Sequence, residues 1–484
     1  MSNIKSLKPE SLWSNFHELT QIPRPSKKED KAAAWAKAFG EKLGLETIVD
    51  AIGNVIIRKP ASPGMENLMG VVLQGHLDMV PQKNSDKKHD FEKDPIETVV
   101  DGEWVRANGT TLGADNGIGV AAALAVLQDK SLKHGPLEVL LTIDEETGMT
   151  GAFELKPNLL KGDILLNLDS EDEGELYIGC AGGMNTTGTL KYKEETVPAG
   201  MAAFKISVTG LKGGHSGLDI NLGRGNANKI MNRILWAAQD LGMRIASLDG
   251  GSLRNAIPRE AFATVVIPEK HKTDFLNLIN DCKAVFSNEF ATPDPGLAIL
   301  AESAAMPSGI MEAGAQSRLI KIVYGVPNAV MRMSTEISGI VETSTNMAIV
   351  KAEKGEAKIT CLLRSSVDSA KISLGHMTQS VMELGGMEVL HDGTYPGWKP
   401  NVNSVILKTM KDVYLKKYGK TPEVKVIHAG LECGIIGAAY PKMELISFGP
   451  TIRFPHSPDE KVNIATVGKF YEFLTETLAS IPKK

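Results

Sequence analysis

Apolar positions in the chain occur in two kinds of pattern. Residues 11–43 carry apolar positions at helical spacing, interrupted by the proline-containing segment 22–26, which predicts two helices. Short apolar runs occur at 47–49, 54–58, 70–74, 136–143, 163–168 and 443–449. Such runs are typical of buried strands, and the small-residue segment 120–127 is typical of a helix packed flat on a sheet. The pattern predicts an α/β domain with a central mixed sheet flanked by helices.

A different pattern, with the order strand, helix, strand, strand, occupies the middle of the chain. Its first unit has expected strands near 203–208, 252–253 and 261–267 and a helix at 226–240, and its second has strands at 346–350 and 357–364 and a helix after 369. We therefore expect an inserted α+β domain at 198–388, made of two similar sandwich units, between two parts of a main domain at 1–197 and 389–484. One continuous domain with long insertions is the alternative.

Composition narrows the class of protein. The chain of 484 residues is 42% hydrophobic and 23% charged, which is ordinary for a globular protein. No apolar run approaches the roughly 18 residues that span a bilayer, and the N-terminus lacks the apolar core of a signal peptide. We expect a cytoplasmic protein without a membrane partner. A net charge of −5 with 5% aromatic residues also gives no sign of a basic, nucleic-acid-binding surface.

The spacing of the cysteines gives no sign of a disulfide, metal or redox site. They are far apart in the sequence, without a Cys-x-x-Cys pair, and stand at Cys180, Cys282, Cys361 and Cys433. This argues against a disulfide framework, a thiolate zinc site or a redox pair. We expect four buried, small apolar side chains.

A histidine and a carboxylate follow the apolar run 70–74. His76 stands at the expected carboxyl end of that strand, where open α/β sheets keep their sites. Asp78 is one strand period further on, so its carboxylate can hold one imidazole nitrogen and leave the other free for a metal ion. Alone, this pair is weak evidence, because a histidine at a strand end is more often a satisfied polar residue.

Further candidate ligands follow three other predicted strands and one glycine-rich loop. They are Glu145, Glu146, Asp169, His456 and, in the loop, Asp115. The glycines could suggest a phosphate-binding loop, but no Lys-Ser or Lys-Thr follows Gly119. Histidine and carboxylate ligands without thiolate suit zinc or a similar first-row divalent ion.

Two metal ions fit this set better than one. If Asp115 bridges, each ion can have one histidine and one further carboxylate. Three carboxylates and a bridging hydroxide then neutralise two divalent ions, which a partly buried site favours. One of the adjacent Glu145 and Glu146 can bind metal while the other acts as general base, and the spacing leaves open which.

Taken together, these motifs resemble a known family. The segments that carry the resemblance are 76–78, 113–117, 144–148, 169–171, 213–217 and 455–460, with further matches at Gly183, 254–260, 395–398 and 428–434. They resemble the co-catalytic dizinc exopeptidase superfamily and, more narrowly, the family of cytosol non-specific or aminoacyl-histidine dipeptidases. The resemblance covers nearly the full length of the chain.

The resemblance implies roles for the residues of the main domain, which would be the catalytic domain. His76 and Asp169 would hold one metal ion, Glu146 and His456 the other, and Asp115 would bridge them, with a cis peptide bond to Asn116. The ions would be zinc, with manganese or cobalt as alternatives. Glu145 would be the base, and Asp78 would orient His76.

The inserted domain would be a lid. His215 would reach the substrate carbonyl oxygen on closure, Asn255 and Arg364 would help to bind the substrate, and the Gly430 loop would line the far side. Arg364 could instead be an ordinary surface-pairing arginine. The sequence leaves a homodimer open.

The implied activity is metal-dependent hydrolysis of dipeptides with broad side-chain tolerance, including dipeptides that end in histidine. An aminoacylase or carboxypeptidase of the same superfamily is an alternative that would share every ligand and differ in the lid. A non-catalytic metal-binding scaffold is an alternative of another class, against which Glu145 counts, because metal storage needs no spare base.

Overall fold

The computed structural model describes residues 4–484. Its α-helices are α1 Glu10–Thr20, α2 Asp30–Lys42, α3 Ala114–Gln128, α4 Glu145–Gly148, α5 Thr150–Glu154, α6 Ala227–Ala238, α7 Lys272–Glu289, α8 Ala313–Gly325, α9 Asp368–Leu384, α10 Val405–Tyr418, α11 Glu432–Ala439 and α12 Ile464–Ala479. Short 3₁₀ helices lie at Ile4–Ser6, Ile220–Leu222, Gln239–Leu241 and Glu269–His271. Within the described residues, no helix has the length and apolar character required to cross a membrane.

The strands are β1 Glu46–Val49, β2 Val55–Lys59, β3 Val71–His76, β4 Thr98–Asp101, β5 Trp104–Ala107, β6 Leu137–Thr142, β7 Ile164–Asn167, β8 Glu175–Cys180, β9 Gly182–Lys191, β10 Glu194–Glu195, β11 Met201–Thr209, β12 Gly214–His215, β13 Arg244–Gly250, β14 Ala256–Ile257, β15 Ala261–Pro268, β16 Ala298–Ser303, β17 Ile310–Met311, β18 Ala329–Met333, β19 Val341–Glu353, β20 Glu356–Ser365, β21 Glu388–Tyr395, β22 Glu423–Ile427, β23 Glu444–Ser447, β24 Ile452–Arg453 and β25 Lys461–Asn463.

The first of two compact units comprises residues 4–180, 398–426 and 431–484. Its eight-stranded sheet has the order β1-β2-β6-β3-β7-β23-β8-β22. Strands β6, β3, β7 and β23 run parallel to one another, while β1, β2 and β8 add antiparallel pairs. The predicted mixed sheet flanked by helices is therefore confirmed. The carboxyl ends of the four parallel strands meet at one edge, which positions the candidate ligands.

Burial explains why these strands are largely apolar. Every residue of β3, β6 and β7 is buried, as expected for parallel strands covered on both faces. Helix α3 buries 13 residues, most of them small, and its small side chains allow close approach to β3.

One hairpin was not expected. The segment 81–104 is polar and turn-rich, which predicts a surface loop, but Thr98–Asp101 forms β4 and pairs antiparallel with β5 in a second sheet, β24-β25-β5-β4. A strand of four residues beside a Gly102 turn gives too short an apolar signal for the pattern to register.

The second unit comprises residues 181–397 and 427–430. Its nine-stranded sheet follows the order β16-β11-β15-β13-β19-β20-β9-β21, with β18 paired to β19. Each half of this sheet is a β-α-β-β-α-β unit, with helices α6 and α7 in one half and α8 and α9 in the other. Strands β13 and β19 hold equivalent places in the two halves and pair antiparallel. The doubling expected from the sequence agrees with this topology.

The unit boundaries differ from the expected 198 and 388. The second unit begins at Ala181 and its main segment ends at Gly397, because β9, which the sequence pattern did not reveal, pairs with both β20 and β21. The strand expected at 252–253 also lies earlier, as β13 Arg244–Gly250, and 252–253 is part of the loop that follows it.

Candidate metal centre

The candidate ligands of the first unit lie at the shared edge of the parallel strands. His76 ends β3, Glu145 and Glu146 follow β6, and Asp169 follows β7. His456 lies in the segment after β23, between β24 and β25. The separate apolar runs of the sequence thus bring their terminal polar side chains to one place.

These side chains form two groups that share Asp115. In one, the Nε2 atom of His76 lies 3.1 Å from Asp115 Oδ1 and 3.3 Å from Asp169 Oδ1. In the other, the Nε2 atom of His456 lies 3.2 Å from Asp115 Oδ2 and 2.8 Å from Glu146 Oε2. In each group the potential ligand atoms lie within 4.8 Å of one another. Asp115 therefore presents one carboxylate oxygen to each group.

Glu145 lies in a further group of candidate ligand atoms with His76 and Glu146. No ion pair to a cation is found for Glu145 among the residues that the structure describes. Burial raises the pKa of Glu145 well above its ordinary value, and the nearby negative charge of Asp169 adds to the increase. A carboxylate with these surroundings is a better proton acceptor than an exposed one.

The loop that carries Asp115 is held by the carboxylate of Glu460. Its two oxygens accept hydrogen bonds from four consecutive backbone N–H groups, at 2.6 Å from Leu112, 2.9 Å from Gly113, 2.7 Å from Ala114 and 3.2 Å from Asp115. Gly113 has φ 69°, a conformation that favours glycine. The peptide bond from Asp115 to Asn116 is cis, as the resemblance implied.

A buried arginine, Arg24, ties this loop to the end of β3. Its guanidinium donates to the carbonyl oxygens of Leu77 and Asp78, both at 2.8 Å, and of Gly113 at 2.6 Å. Burial lowers the pKa of Arg24 to about 10. The sequence pattern predicts no role for Arg24 or Glu460, since buried charges that pair with distant backbone groups leave no local pattern.

Asp78 connects His76 to the start of α4. Its Oδ1 lies 3.3 Å from His76 Nδ1, the nitrogen that faces away from Asp115. The same carboxylate accepts the backbone N–H of Glu145 at 3.0 Å and of Glu146 at 3.2 Å, and the hydroxyl of Ser26 at 2.8 Å. One buried carboxylate thereby fixes both a candidate histidine ligand and the two glutamates.

The electrostatics of the two groups favour a cation. Hydrogen bonds to Asp115 and Glu146 raise the pKa of His456 to about 11. Burial lowers the pKa of His76, but the charge of Asp169 and the hydrogen bond to Asp115 outweigh it and raise the pKa well above its ordinary value. Burial and the charge of Asp115 raise the pKa of Asp169 to about 8. Protons bind tightly here because the field of the clustered carboxylates is strongly negative.

The donor set also fits divalent metal ions. Both groups contain only imidazole nitrogen and carboxylate oxygen, the ligands preferred by zinc and similar ions. Glu146 Oε1 is buried and has no hydrogen-bond partner, which is costly unless a cation completes its surroundings. A separate, purely acidic cluster of Glu29, Asp78 and Asp144 differs because backbone N–H groups and hydroxyls already satisfy its oxygens.

Beneath the groups lies a buried polar network that the sequence did not predict. The Oε2 atom of Glu432 accepts from Gln74 at 2.6 Å and from Thr142 at 2.8 Å. Gln74 in turn accepts from Asn167 at 2.5 Å. Gln74 and Asn167 are register partners on β3 and β7, so the network crosses the sheet directly below the ligands.

In the second unit, His215 belongs to a separate cluster around Arg364. The Nη2 atom of Arg364 lies 3.4 Å from His215 Nε2, its Nη1 donates to the Tyr395 hydroxyl at 3.0 Å, and its Nη2 donates to the Ser216 hydroxyl at 3.3 Å. Burial and the charge of Arg364 lower the pKa of His215 to about 4. His215 is therefore a neutral imidazole at neutral pH.

Arg364 itself is 4% exposed. Among the described residues no carboxylate forms an ion pair with it, and burial lowers its pKa. The alternative of an ordinary surface-pairing arginine is wrong for this reason. A buried guanidinium without a carboxylate partner is a ready binding group for an anion.

The remaining candidates of the second unit lie around this cluster. The side chain of Asn255 is exposed, and its backbone oxygen accepts the N–H of Ser216 at 2.8 Å. Gly430 packs on the Tyr395 ring, where an added Cβ would approach within 3.0 Å. His428 is buried, its Nε2 atom lies 2.7 Å from the Ser344 hydroxyl, and burial lowers its pKa to about 3.

The four cysteines are buried. The expectation that they are buried, small apolar side chains agrees with this.

The fold and the two groups define a class of hydrolase. Residues 72–480 match the model of peptidase family M20/M25/M40, and the chain belongs to this family. The cytosol non-specific dipeptidase of Escherichia coli strain K12 is 47% identical over 485 residues, which cover 100% of both chains. The crystal structure of an aminoacylhistidine dipeptidase from Vibrio alginolyticus has a TM-score of 0.96 and 49% identity, covering 100% of this chain and 99% of that one.

A more distantly related solved structure resembles this chain in fold alone. The structure of an aminopeptidase from Bacillus cereus has a TM-score of 0.58 at 16% identity, covering 98% of this chain and 99% of the other. The resemblance to the dipeptidase family that the sequence motifs indicated is confirmed by the family match and by the two full-length relatives.

Proposed function

We propose that this protein is a metal-dependent dipeptidase with broad side-chain tolerance, including dipeptides that end in histidine. The observation that carries the proposal is the pair of histidine–carboxylate groups that share Asp115, with Glu145 beside them. The names of the two full-length relatives, a cytosol non-specific dipeptidase and an aminoacylhistidine dipeptidase, support the choice of substrate.

In this proposal His76 and Asp169 hold one divalent ion, Glu146 and His456 hold a second, and Asp115 contacts both. The ions are zinc, with manganese or cobalt as alternatives. When bound, two such ions would lower the pKa of a water molecule to near neutrality and polarise the substrate carbonyl. The buried, unpartnered Oε1 atom of Glu146 and the raised pKa of His456 support these positions.

Glu145 is the general base of the proposed reaction. Its carboxylate takes a proton from the attacking water as the new C–O bond forms, and then gives that proton to the amide nitrogen as the C–N bond breaks. Asp78 supports this role, because it fixes the backbone N–H of Glu145 and faces His76 with the same carboxylate. The products are two amino acids, and no external oxidant or reductant is required.

His215 and Arg364 act on the substrate in the proposed scheme. The Nε2–H group of neutral His215 donates to the oxygen of the scissile carbonyl as negative charge develops there. The guanidinium of Arg364 pairs with the terminal carboxylate of the dipeptide. Its burial without an internal carboxylate partner supports this assignment. Asn255 and the Gly430 loop are proposed to line the same substrate positions.

A chelation experiment tests the proposed function. Protein freed of metal by a chelator should not cleave a dipeptide, and added zinc, manganese or cobalt should restore cleavage. An N-acetyl amino acid should remain intact throughout. Preferred cleavage of the N-acetyl amino acid would favour an aminoacylase, and metal binding without cleavage of either compound would favour a scaffold.

We also propose a cytoplasmic location, as in the name of the relative from Escherichia coli, and leave the homodimer as an alternative to the monomer.

A further inference from the structure

The His215 ring is fixed by backbone groups of its own loop. Its Nδ1 atom accepts the N–H of Gly217 at 3.2 Å and of Leu218 at 3.0 Å. A ring nitrogen that accepts hydrogen bonds carries no proton. Two backbone N–H groups at 3.0–3.2 Å face Nδ1, whereas Nε2 faces the Arg364 Nη2 atom at the longer distance of 3.4 Å, so the proton of the neutral ring is assigned to Nε2. The lowered pKa of His215, about 4, agrees with a neutral ring. The loop therefore selects the tautomer that presents an N–H group at Nε2.

A single buried carboxylate closes this loop. Asp294 is 1% exposed and follows α7. Its Oδ1 atom accepts the backbone N–H of Lys212 at 2.7 Å, and its Oδ2 atom accepts that of Gly225 at 2.6 Å. These two amides stand directly before and after the segment 213–224, which contains His215. The carboxylate thus joins the two ends of the segment.

Contacts inside the segment hold the backbone around His215. The N–H of His215 donates to Asp219 Oδ2 at 2.8 Å. Arg224 donates to the carbonyl oxygen of Gly213 at 2.6 Å and lies 3.4 Å from Asp219 Oδ1. Gly214 has φ 131°, and an added Cβ would lie 2.5 Å from Asp219 Oδ2. These contacts hold the interior of the segment, and Asp294 adds the link between its two ends.

We propose that Asp294 is a positioning residue that acts through His215: by joining the backbone N–H groups of Lys212 and Gly225, it keeps the His215 ring in the Nε2–H tautomer and fixed in direction. The proposal deepens the proposed function and rests on the role given there to His215. A carboxylate is required because each of its oxygens accepts a hydrogen bond, whereas asparagine would turn an NH₂ group towards one of the two N–H groups.

The kinetic test uses Asp294→Asn, His215→Ala and the double variant of the full-length, metal-loaded protein. Asp294→Asn should lower kcat about 10–100-fold, the usual loss for a partner that orients an active group, with little change in KM and metal content. In the His215→Ala background, Asp294→Asn should cause no further loss. Equal losses in both backgrounds would show a merely structural role and overturn the proposal. Asp281→Asn, an exposed residue on α7, is the control and should leave kcat unchanged.

A second measurement depends neither on activity nor on the folding of Asp294→Asn. In protein labelled with ¹⁵N-histidine, the ring shifts of His215, assigned by comparison with His215→Gln, report the tautomer. The wild type should show Nδ1 without a proton, and Asp294→Asn should show a mixture of tautomers. A proton on Nδ1 in the wild type would overturn the proposal even if Asp294→Asn failed to fold. Full activity of His215→Ala with the expected tautomer would instead refute only the role of His215 in the proposed function.

Discussion

Adjacent Glu145 and Glu146 illustrate how strongly one residue position matters in this site. The backbone N–H groups of both donate to Asp78, which fixes the start of α4. Glu146 then reaches His456, with its Oε2 atom 2.8 Å from the imidazole, whereas Glu145 makes no such contact among the described residues. The sequence could not say which glutamate is the ligand. The contact to His456 favours Glu146 as ligand and Glu145 as base.

The first prediction concerns this division. Glu145→Gln should keep both metal ions and lose about two to four decades of kcat, because the amide cannot accept the proton of the attacking water. Elemental mass spectrometry measures the metal content, and kcat on a dipeptide measures the loss of catalysis. Glu146→Gln is the matched variant and should lose metal occupancy. Near-normal turnover of Glu145→Gln would show that the roles are exchanged.

A second prediction follows from the raised pKa values at the metal groups. Without metal, the pKa of Asp169 is about 8 and that of His456 about 11. Both groups then carry a proton at pH 7, and both must lose it to bind a cation. Zinc binding at pH 7 should therefore release protons. At pH 9, which lies above the pKa of Asp169, zinc binding should release fewer protons from Asp169 than at pH 7.

Calorimetry in two buffers of different ionisation enthalpy measures this release. His456→Ala should release fewer protons than the wild type. Binding without proton release at pH 7 would contradict the account of the site electrostatics.

At the scale of elements, the start of α3 depends on a residue far away in sequence. Glu460 accepts hydrogen bonds from four consecutive N–H groups of the loop before Asp115, over a separation of 345 residues or more. Because these N–H groups are buried, their loss of a partner is expensive. The position of Asp115, and with it both metal groups, depends on this carboxylate.

The third prediction is that Glu460→Gln destabilises the protein and weakens metal binding. Glutamine offers one acceptor oxygen and turns an NH₂ group towards N–H donors, a loss of about 2–4 kcal/mol. The denaturant midpoint and the metal content should both fall. Asp459→Asn, an exposed neighbour, should change neither. A Glu460→Gln protein with the midpoint and metal content of the wild type would refute the role of this carboxylate.

The elements themselves were largely predictable, and the reason is physical. Parallel strands buried on both faces are largely apolar, so β3, β6 and β7 appear as apolar runs, interrupted by Gln74 and Glu138, that end in polar side chains. The expectation that those ends meet needed only the general geometry of open sheets.

Other features left no such signal. Strand β9 carries Gly182, Gly183 and Gly188 and alternates buried and partly buried residues, so its pairing with β20 was not predictable. Arg24 and Glu460 are charged residues whose burial depends on distant backbone groups. Asp294 is of the same kind, because its two partners lie 69 and 82 residues away. Local pattern does not reveal contacts of this range.

At the scale of the whole molecule, the proposal assigns one set of tasks to each unit. The first unit holds the metal groups and the base, and the second holds the donor His215 and the buried cation Arg364. The family match extends over both units. We expect the second unit to set the length of the substrate, because a fixed guanidinium that requires a carboxylate rejects a peptide whose chain continues.

The central claim is a dipeptidase that recognises the terminal carboxylate of its substrate. Its most direct test is kcat/KM of the metal-loaded protein on a dipeptide, its C-terminal amide and the corresponding tripeptide. An uncharged amide beside the buried Arg364 leaves the guanidinium unpaired, a penalty of about 2–5 kcal/mol. The dipeptide should therefore be cleaved at least about 30-fold better than the other two, and Arg364→Ala should remove most of this preference. Comparable rates on all three substrates in the wild type would contradict the account.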